Sequence, residues 1–260
     1  MSAPATTLLL EALAGRTVRV VDLTQPLSEN TPVLQLPPPY ADTPPLSRRA
    51  LSRYDEAGPA WAWDVLELGE HTGTHLDAPV HWISGRDGQD VASIPPDRLI
   101  GPAVVIDKTA ESAQDPGYLL TVADLETFES EHGELPAGAW VLLRTGWDAR
   151  AHDAVAFLNA GPDGPVTPGP DVEAAHWLAT RRDLAGFGVE TVGIDAGAAG
   201  AMDPAFPVHS FLLGAGRYGL TSLANLAALP ATGAVIVVAP LKLVGGTGSP
   251  SRVLALVPTG

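Results

Sequence analysis

The chain has 260 residues, a formal net charge of −15 and a hydrophobic fraction of 45%. That length suits one large α/β domain with a sizeable core, and that apolar content excludes a disordered chain. The acidic balance, with no basic block, excludes nucleic acid and anionic membrane as partners, and the absence of cysteine excludes thiolate ligands, thiol nucleophiles and disulfides.

Residues 1–15 carry Leu8-Leu9-Leu10, closed by Glu11, with no Lys or Arg before them. A secretory leader needs a positive start and a longer apolar run, so a short surface helix is expected. No segment approaches the ~18 uninterrupted apolar residues of a membrane span, and the cytoplasm is the expected location. Residues 18–23 read as a strand. Residues 25–59 form a Pro-rich excursion, expected as surface loop, in which Pro37-Pro38-Pro39 cannot join a sheet interior. Residues 63–68 read as a strand running into a His-rich segment. The short apolar runs 103–106, 139–143, 191–194, 234–238 and 253–257 read as buried strands. Helices are expected over 123–132 behind the cap Thr121, over 172–182 behind Asp171, and around 221–229 up to Pro230. Pro and Gly punctuate the whole chain and mark no single boundary, so one domain over residues 1–260 is expected. Strands interleaved with few helices predict an α/β fold built on a mixed sheet.

The segment with the most chemistry is His71-Thr72-Gly73-Thr74-His75-Leu76-Asp77-Ala78-Pro79-Val80-His81-Trp82. Imidazole and carboxylate are the donors a divalent cation takes when no thiolate is present. Two ligands of one ion must lie close together, and a straight strand would hold His71 and His75 about 13 Å apart. Gly73 permits a sharp bend and Pro79 blocks helix continuation. We therefore expect a bent loop or one helical turn that brings His71, His75 and Asp77 around one cation, with His81 just beyond it.

The pattern His-x-Gly-Thr-His-x-Asp-x-Pro-x-His resembles the signature of the metal-dependent cyclase family, which includes kynurenine formamidases and isatin hydrolases. Val21-Asp22-Leu23-Thr24, Gly193-Ile194-Asp195, Pro207-Val208-His209 and the run Gly246 to Arg252 resemble further blocks of the family, so the likeness spans nearly the whole chain. The isatin hydrolase branch is the nearer one. It is suggested by Ser52 to Glu56 followed by Trp61 and Trp63, by Glu70 to Trp82, and by Arg217 to Leu220.

The resemblance implies a swivelling β/α-type cyclase fold, His71, His75 and Asp77 as ligands of Mn²⁺ or Zn²⁺, and His81 and His209 as catalytic histidines. It also implies a homodimer or larger homo-oligomer. The expected activity is hydrolysis of a small cyclic amide, an isatin-like lactam or imide, by activated water. Its alternatives are an aryl formamidase, a cyclase or dehydratase of the same family, and a non-catalytic binding homologue. The last is raised by Thr221, which stands where the family carries Glu or Gln before a Leu-x-Asn-Leu stretch. Thr221 is expected at the substrate position, touching the ion only indirectly.

A flat substrate gains from aromatic walls, and Trp61, Trp63 and Trp82 are the candidates. His132, His152 and His176 read as ordinary surface or structural residues. Asp195 reads equally as a residue orienting a histidine or as a turn residue. Gly245-Gly246-Thr247-Gly248 lacks the Lys-Ser/Thr ending of a phosphate loop, so nucleotide binding is rejected.

Overall fold

Burial alternates along a strand with one face on the core and becomes continuous where both faces are covered. In a computed structural model, which describes residues 4–36, 39–162 and 164–259, the strands in chain order are β1 (Val18–Asp22), β2 (Ser47–Arg53), β3 (Ala62–Glu67), β4 (His75–Asp77), β5 (Ile100–Asp107), β6 (Leu119–Leu120), β7 (Trp140–Arg144), β8 (Ala160–Gly161), β9 (Gly164–Pro165), β10 (Gly169–Pro170), β11 (Gly186–Val189), β12 (Tyr218–Thr221), β13 (Ala234–Pro240) and β14 (Gly248–Pro258). The helices are α1 (Ala5–Ala14), α2 (Thr109–Gln114), α3 (Val122–His132), α4 (Ala154–Leu158) and α5 (Val172–Thr180).

Eight strands form one mixed sheet in the order β1-β14-β13-β5-β7-β11-β12-β4. β4 also pairs with β14, so the sheet closes on itself as a barrel with β1 attached outside the ring. The parallel neighbours β5, β7, β11 and β12 form the part covered on both faces. Trp140 and Leu142 of β7 point to an inner core shared with Leu76, Leu220, Ile236 and Val253. The alternate residues Val141 and Leu143 point outward and pack with Leu125 and Phe128 of α3 and Ala175 and Leu178 of α5.

The expected mixed α/β fold with few helices is the one found. The expected strands at 18–23, 63–68, 103–106, 139–143, 234–238 and 253–257 match β1, β3, β5, β7, β13 and β14, and the helices behind Thr121 and Asp171 are α3 and α5. α1 is the expected surface helix and buries none of its residues.

Three local expectations are corrected. The strand expected at 191–194 lies earlier, at Gly186–Val189. Its two glycines hid it, although a Cβ at Gly186 would come within 2.5 Å of the Trp140 ring. The helix expected around 221–229 is replaced by the end of β12 and a single 3₁₀ turn, Leu226–Ala228. Ser222 and Asn225 take left-handed backbone angles of φ 51° and 59°, which no α-helix accommodates. The Pro-rich excursion is not loop throughout, because its residues Ser47–Arg53 pair with Ala62–Glu67 as a separate ribbon. Pro37 and Pro38 of the Pro triplet lie outside the described residues.

α3 begins with a capping box in which Thr121 and Asp124 exchange side-chain to backbone hydrogen bonds. Asp124 also accepts from Lys108 Nζ at 2.7 Å and from the Tyr118 hydroxyl at 2.8 Å. Burial raises the Asp124 carboxyl, but these donors, Lys108 first, outweigh it and bring it down to about 2. A carboxylate with a depressed folded pKa stabilises the fold above its ordinary pKa of 3.8, and that contribution is lost as the pH falls toward 2. Asp124→Asn should therefore cost about 1–2 kcal/mol in urea unfolding at pH 7. The difference from the wild type should shrink as the pH is lowered from 4 to 2.

Candidate active site

β4 is three residues long and is paired on both sides. Thr221 and Gly219 of β12 lie opposite His75 and Asp77 on one side, and Pro250 and Gly248 of β14 lie opposite them on the other. Side chains alternate along a strand, so His75 and Asp77 share a face while Leu76 enters the inner core. His71 lies before the strand, at the far end of a bend. Gly73 makes that bend with φ 62°, a left-handed angle that glycine adopts without a Cβ penalty. The bent-loop expectation is thus met, and the last turn of the motif is a 3₁₀ turn, Pro79–His81, with Pro at its start.

The bend brings the donors together. His71 Nδ1 lies 2.7 Å from Asp77 Oδ1, and His75 Nε2 lies 3.3 Å from the same oxygen. His71, Asp77 and His81 each present one ligand atom, all within 4.8 Å of one another. The His81 ring stacks on His71 with centroids 3.9 Å apart. Burial, the largest effect, disfavours the charged imidazole, and His81 is pushed down to about 4 even though Asp77 pulls the other way. The Asp77 carboxyl is fully buried, which opposes its charge, yet the adjacent His75 and His71 hold it well below the usual carboxylate range.

The hydrogen-bond partners fix which nitrogens are free. His75 Nδ1 lies 2.8 Å from the Gly73 carbonyl, which only accepts, so Nδ1 carries the proton and Nε2 of the neutral ring turns its lone pair to Asp77. His71 Nδ1 and His75 Nε2 thus converge on one carboxylate oxygen. A proton or a cation must lie among these three atoms, and a His/Asp donor set suits a divalent ion. The residues present fit a metal. Thr221 does not add a ligand of its own kind here. Its hydroxyl lies 2.8 and 3.3 Å from the two nitrogens of His75, buried beneath the ring.

His209 approaches from another element. It begins a π-helical turn, His209–Leu213, a departure from α geometry that recurs at functional sites. Its Nδ1 donates to Asp195 Oδ2, its backbone N–H reaches the same oxygen at 3.2 Å, and the Val208 N–H reaches Oδ1 at 2.7 Å. The ring centroid lies 5.5 Å from His81 and 4.6 Å from Trp82. Trp82 Nε1 donates to Ser210 Oγ at 3.2 Å and the indole meets the Phe206 edge, so histidines and aromatics share one surface.

The chain matches the Cyclase family model over residues 21–196. It is 51% identical over 244 residues to an isatin hydrolase of Roseibium aggregatum, covering 93% of this chain and 92% of that one. The chain belongs to the cyclase family. A kynurenine formamidase of Salinibacter ruber is 31% identical over 189 residues, covering 72% and 76% of the two chains. The solved structure of an isatin hydrolase bound to the product analogue thioisatinate matches this cyclase with a TM-score of 0.95 and 48% identity, covering 100% of both. The solved structure of a potential metal-dependent hydrolase with cyclase activity matches with a TM-score of 0.67 and 26% identity, covering 94% of this chain and 100% of that one.

The structure brings together His71, His75, Asp77, His81, His209, Trp82 and Thr221. It does not bring Trp61 and Trp63 to them. Both stand on the β2–β3 ribbon, 50% and 58% exposed, and neither ring packs against another aromatic among the described residues. Asp195, left open between two roles by the sequence, is the partner of His209. Glu70 entered the sequence reading only as the start of the block Glu70 to Trp82, with no role of its own, although it directly precedes His71. Replacing His75 with Ala removes one of the converging nitrogens, and the purified variant should no longer retain stoichiometric metal by elemental analysis. Metal content equal to the wild type would show that His75 holds nothing.

Proposed function

We propose that this cyclase opens a small cyclic amide of the isatin type by hydrolysis at a divalent cation, Mn²⁺ or Zn²⁺, held by His71, His75 and Asp77. It would act in the cytoplasm as one catalytic domain per chain, assembled as a homodimer or larger homo-oligomer. The observation that carries the reading is the pair of imidazole nitrogens directed at Asp77 Oδ1, set beside a second histidine pair and a tryptophan face. The relatives named as isatin hydrolases, one of them bound to thioisatinate, support the substrate class.

When bound, such a cation lowers the pKa of water toward neutrality and polarises a carbonyl. The chain's own residues have the remaining tasks. In hydrolysis the water oxygen forms the new C–O bond, the C–N bond breaks, and the leaving nitrogen gains a proton. His209 has Nδ1 committed to Asp195, which leaves Nε2 to take or return that proton. His81, packed between His71 and His209, is the second proton-handling group. Trp82 is held in place by Ser210 and offers its face to a flat ring. Asp195 acts through His209 and is a positioning residue, since its carboxylate fixes both the tautomer and the start of the π-helical turn. Thr221 supports His75 from behind and lies within reach of the same space.

Two measurements test the reading. The purified protein should consume isatin faster than N-formylkynurenine, lose that turnover on chelation and regain it with Mn²⁺ or Zn²⁺. A metal-loaded protein that opens no cyclic amide would end the proposal. Asp195→Asn should lower kcat about 10²-fold or more while KM changes little, because it disturbs proton transfer and leaves the tryptophan face intact. Equal losses in kcat and in substrate binding would instead indicate a structural role.

A further inference from the structure

The Gly245–Gly248 segment, which is no phosphate loop, leads into β14 directly against His71. Thr247 Oγ1 is 2.9 Å from His71 Nε2 and 2.7 Å from Glu70 Oε2. The same Glu70 oxygen accepts from the Thr247 backbone N–H at 2.9 Å, and Gly248 N lies 3.4 Å away. The Thr247 carbonyl in turn accepts from the Ala78 N–H at 2.9 Å, tying the segment to the chain just past Asp77. Gly248 is required by the packing. A Cβ there would lie 2.4 Å from His71 Cε1 and 2.8 Å from its Nδ1, so any larger residue would push the ring away.

A hydroxyl has one proton to give. An ionised carboxylate only accepts, so the Thr247 hydroxyl donates to Glu70 and must accept from His71. In the neutral ring Nε2 of His71 then carries the proton, and Nδ1, 2.7 Å from Asp77 Oδ1, presents its lone pair to the point where a cation would be shared with Asp77 and His75. We propose that Glu70, acting through the Thr247 hydroxyl, selects the His71 tautomer that faces the metal, and that the segment Gly246–Gly248 at the start of β14 is the seat that makes this selection. Glu70 and Thr247 are thereby assigned as positioning residues for the metal ligand, with no contact to substrate. The inference rests on the metal reading given above.

The test uses the full-length protein stripped by chelator and titrated with Mn²⁺ in a calorimeter, with no substrate present. Thr247→Val keeps the shape and removes the hydroxyl, and it should weaken Mn²⁺ binding about 10- to 100-fold. Thr247→Ser restores the hydroxyl and should bind within about 3-fold of the wild type on the same scale. Glu70→Ala frees the hydroxyl to donate toward His71 and should weaken binding as the valine variant does. Circular dichroism and melting temperature of each variant establish that the barrel is intact. Wild-type affinity in Thr247→Val would overturn the inference, and so would equal loss in the valine and serine variants, which marks the segment as a spacer only. A wild-type protein that binds no Mn²⁺ or Zn²⁺ would instead overturn the metal reading on which the inference stands.

Discussion

Closure of the barrel through a three-residue strand is the constraint on which the site depends. β4 is too short to be stabilised by its own hydrogen bonds, and it is held by β12 on one side and β14 on the other. That double pairing sets the register, and the register decides which residues meet. A slip of one residue would turn Leu76 out of the core and His75 and Asp77 into it. Leu76 is fully buried in the inner core, so the hydrophobic effect that anchors it also fixes the two polar side chains on the opposite face. The position of the polar residues is thus set by packing on the far side of the same strand.

The second consequence is electrostatic. Asp77 is buried, and a buried carboxylate is stable only when charge and hydrogen bonds replace the lost water. His71 and His75 bring two nitrogens to one of its oxygens, and a proton or a cation held between them supplies that replacement. The set is short of positive charge when the rings are neutral, and a divalent ion answers that deficit better than a proton shared between three groups. Around it the protein uses hydrogen bonds to orient the rings: Gly73 carbonyl for His75, Thr247 for His71, Asp195 for His209. Each imidazole has one nitrogen committed to the scaffold and one left for chemistry, which is the ordinary way a metal site prevents its ligands from rotating away.

Much of this was legible in the sequence because the motif is local. Eleven residues from His71 to His81 contain the bend, the strand, the 3₁₀ turn and three histidines, and Gly73 and Pro79 announce the geometry. The strands of the barrel core showed as apolar runs. β11 was missed because its glycines, chosen to let Trp140 and Leu142 approach, dilute the apolar signal. The stretch after β12 was expected as a short helix ending at Pro230, whereas the left-handed backbone at Ser222 and Asn225 depends on tertiary contacts that the local sequence does not encode. His209 pairs with Asp195 across 14 residues, and Thr247 pairs with His71 across 176, so their partnership appears only once the barrel is closed.

Thr221 is a buried polar residue that the site accommodates through its contact with His75. A carboxylate or amide at the end of β12 would extend over the His75 ring toward the other donors. The threonine stops at the ring, with its buried oxygen 2.8 Å from Nδ1 and 3.3 Å from Nε2 of His75. It is opposite His75 in the sheet register, so the contact follows from cross-strand geometry and needs no special loop. Its hydroxyl is therefore not an unsatisfied buried group. The converging set of His71, His75 and Asp77 does not depend on this position, because all three are delivered by the bend and by β4. The short Thr221 side chain fills only the space against the His75 ring, so the convergence of the donors is left to the bend and to β4.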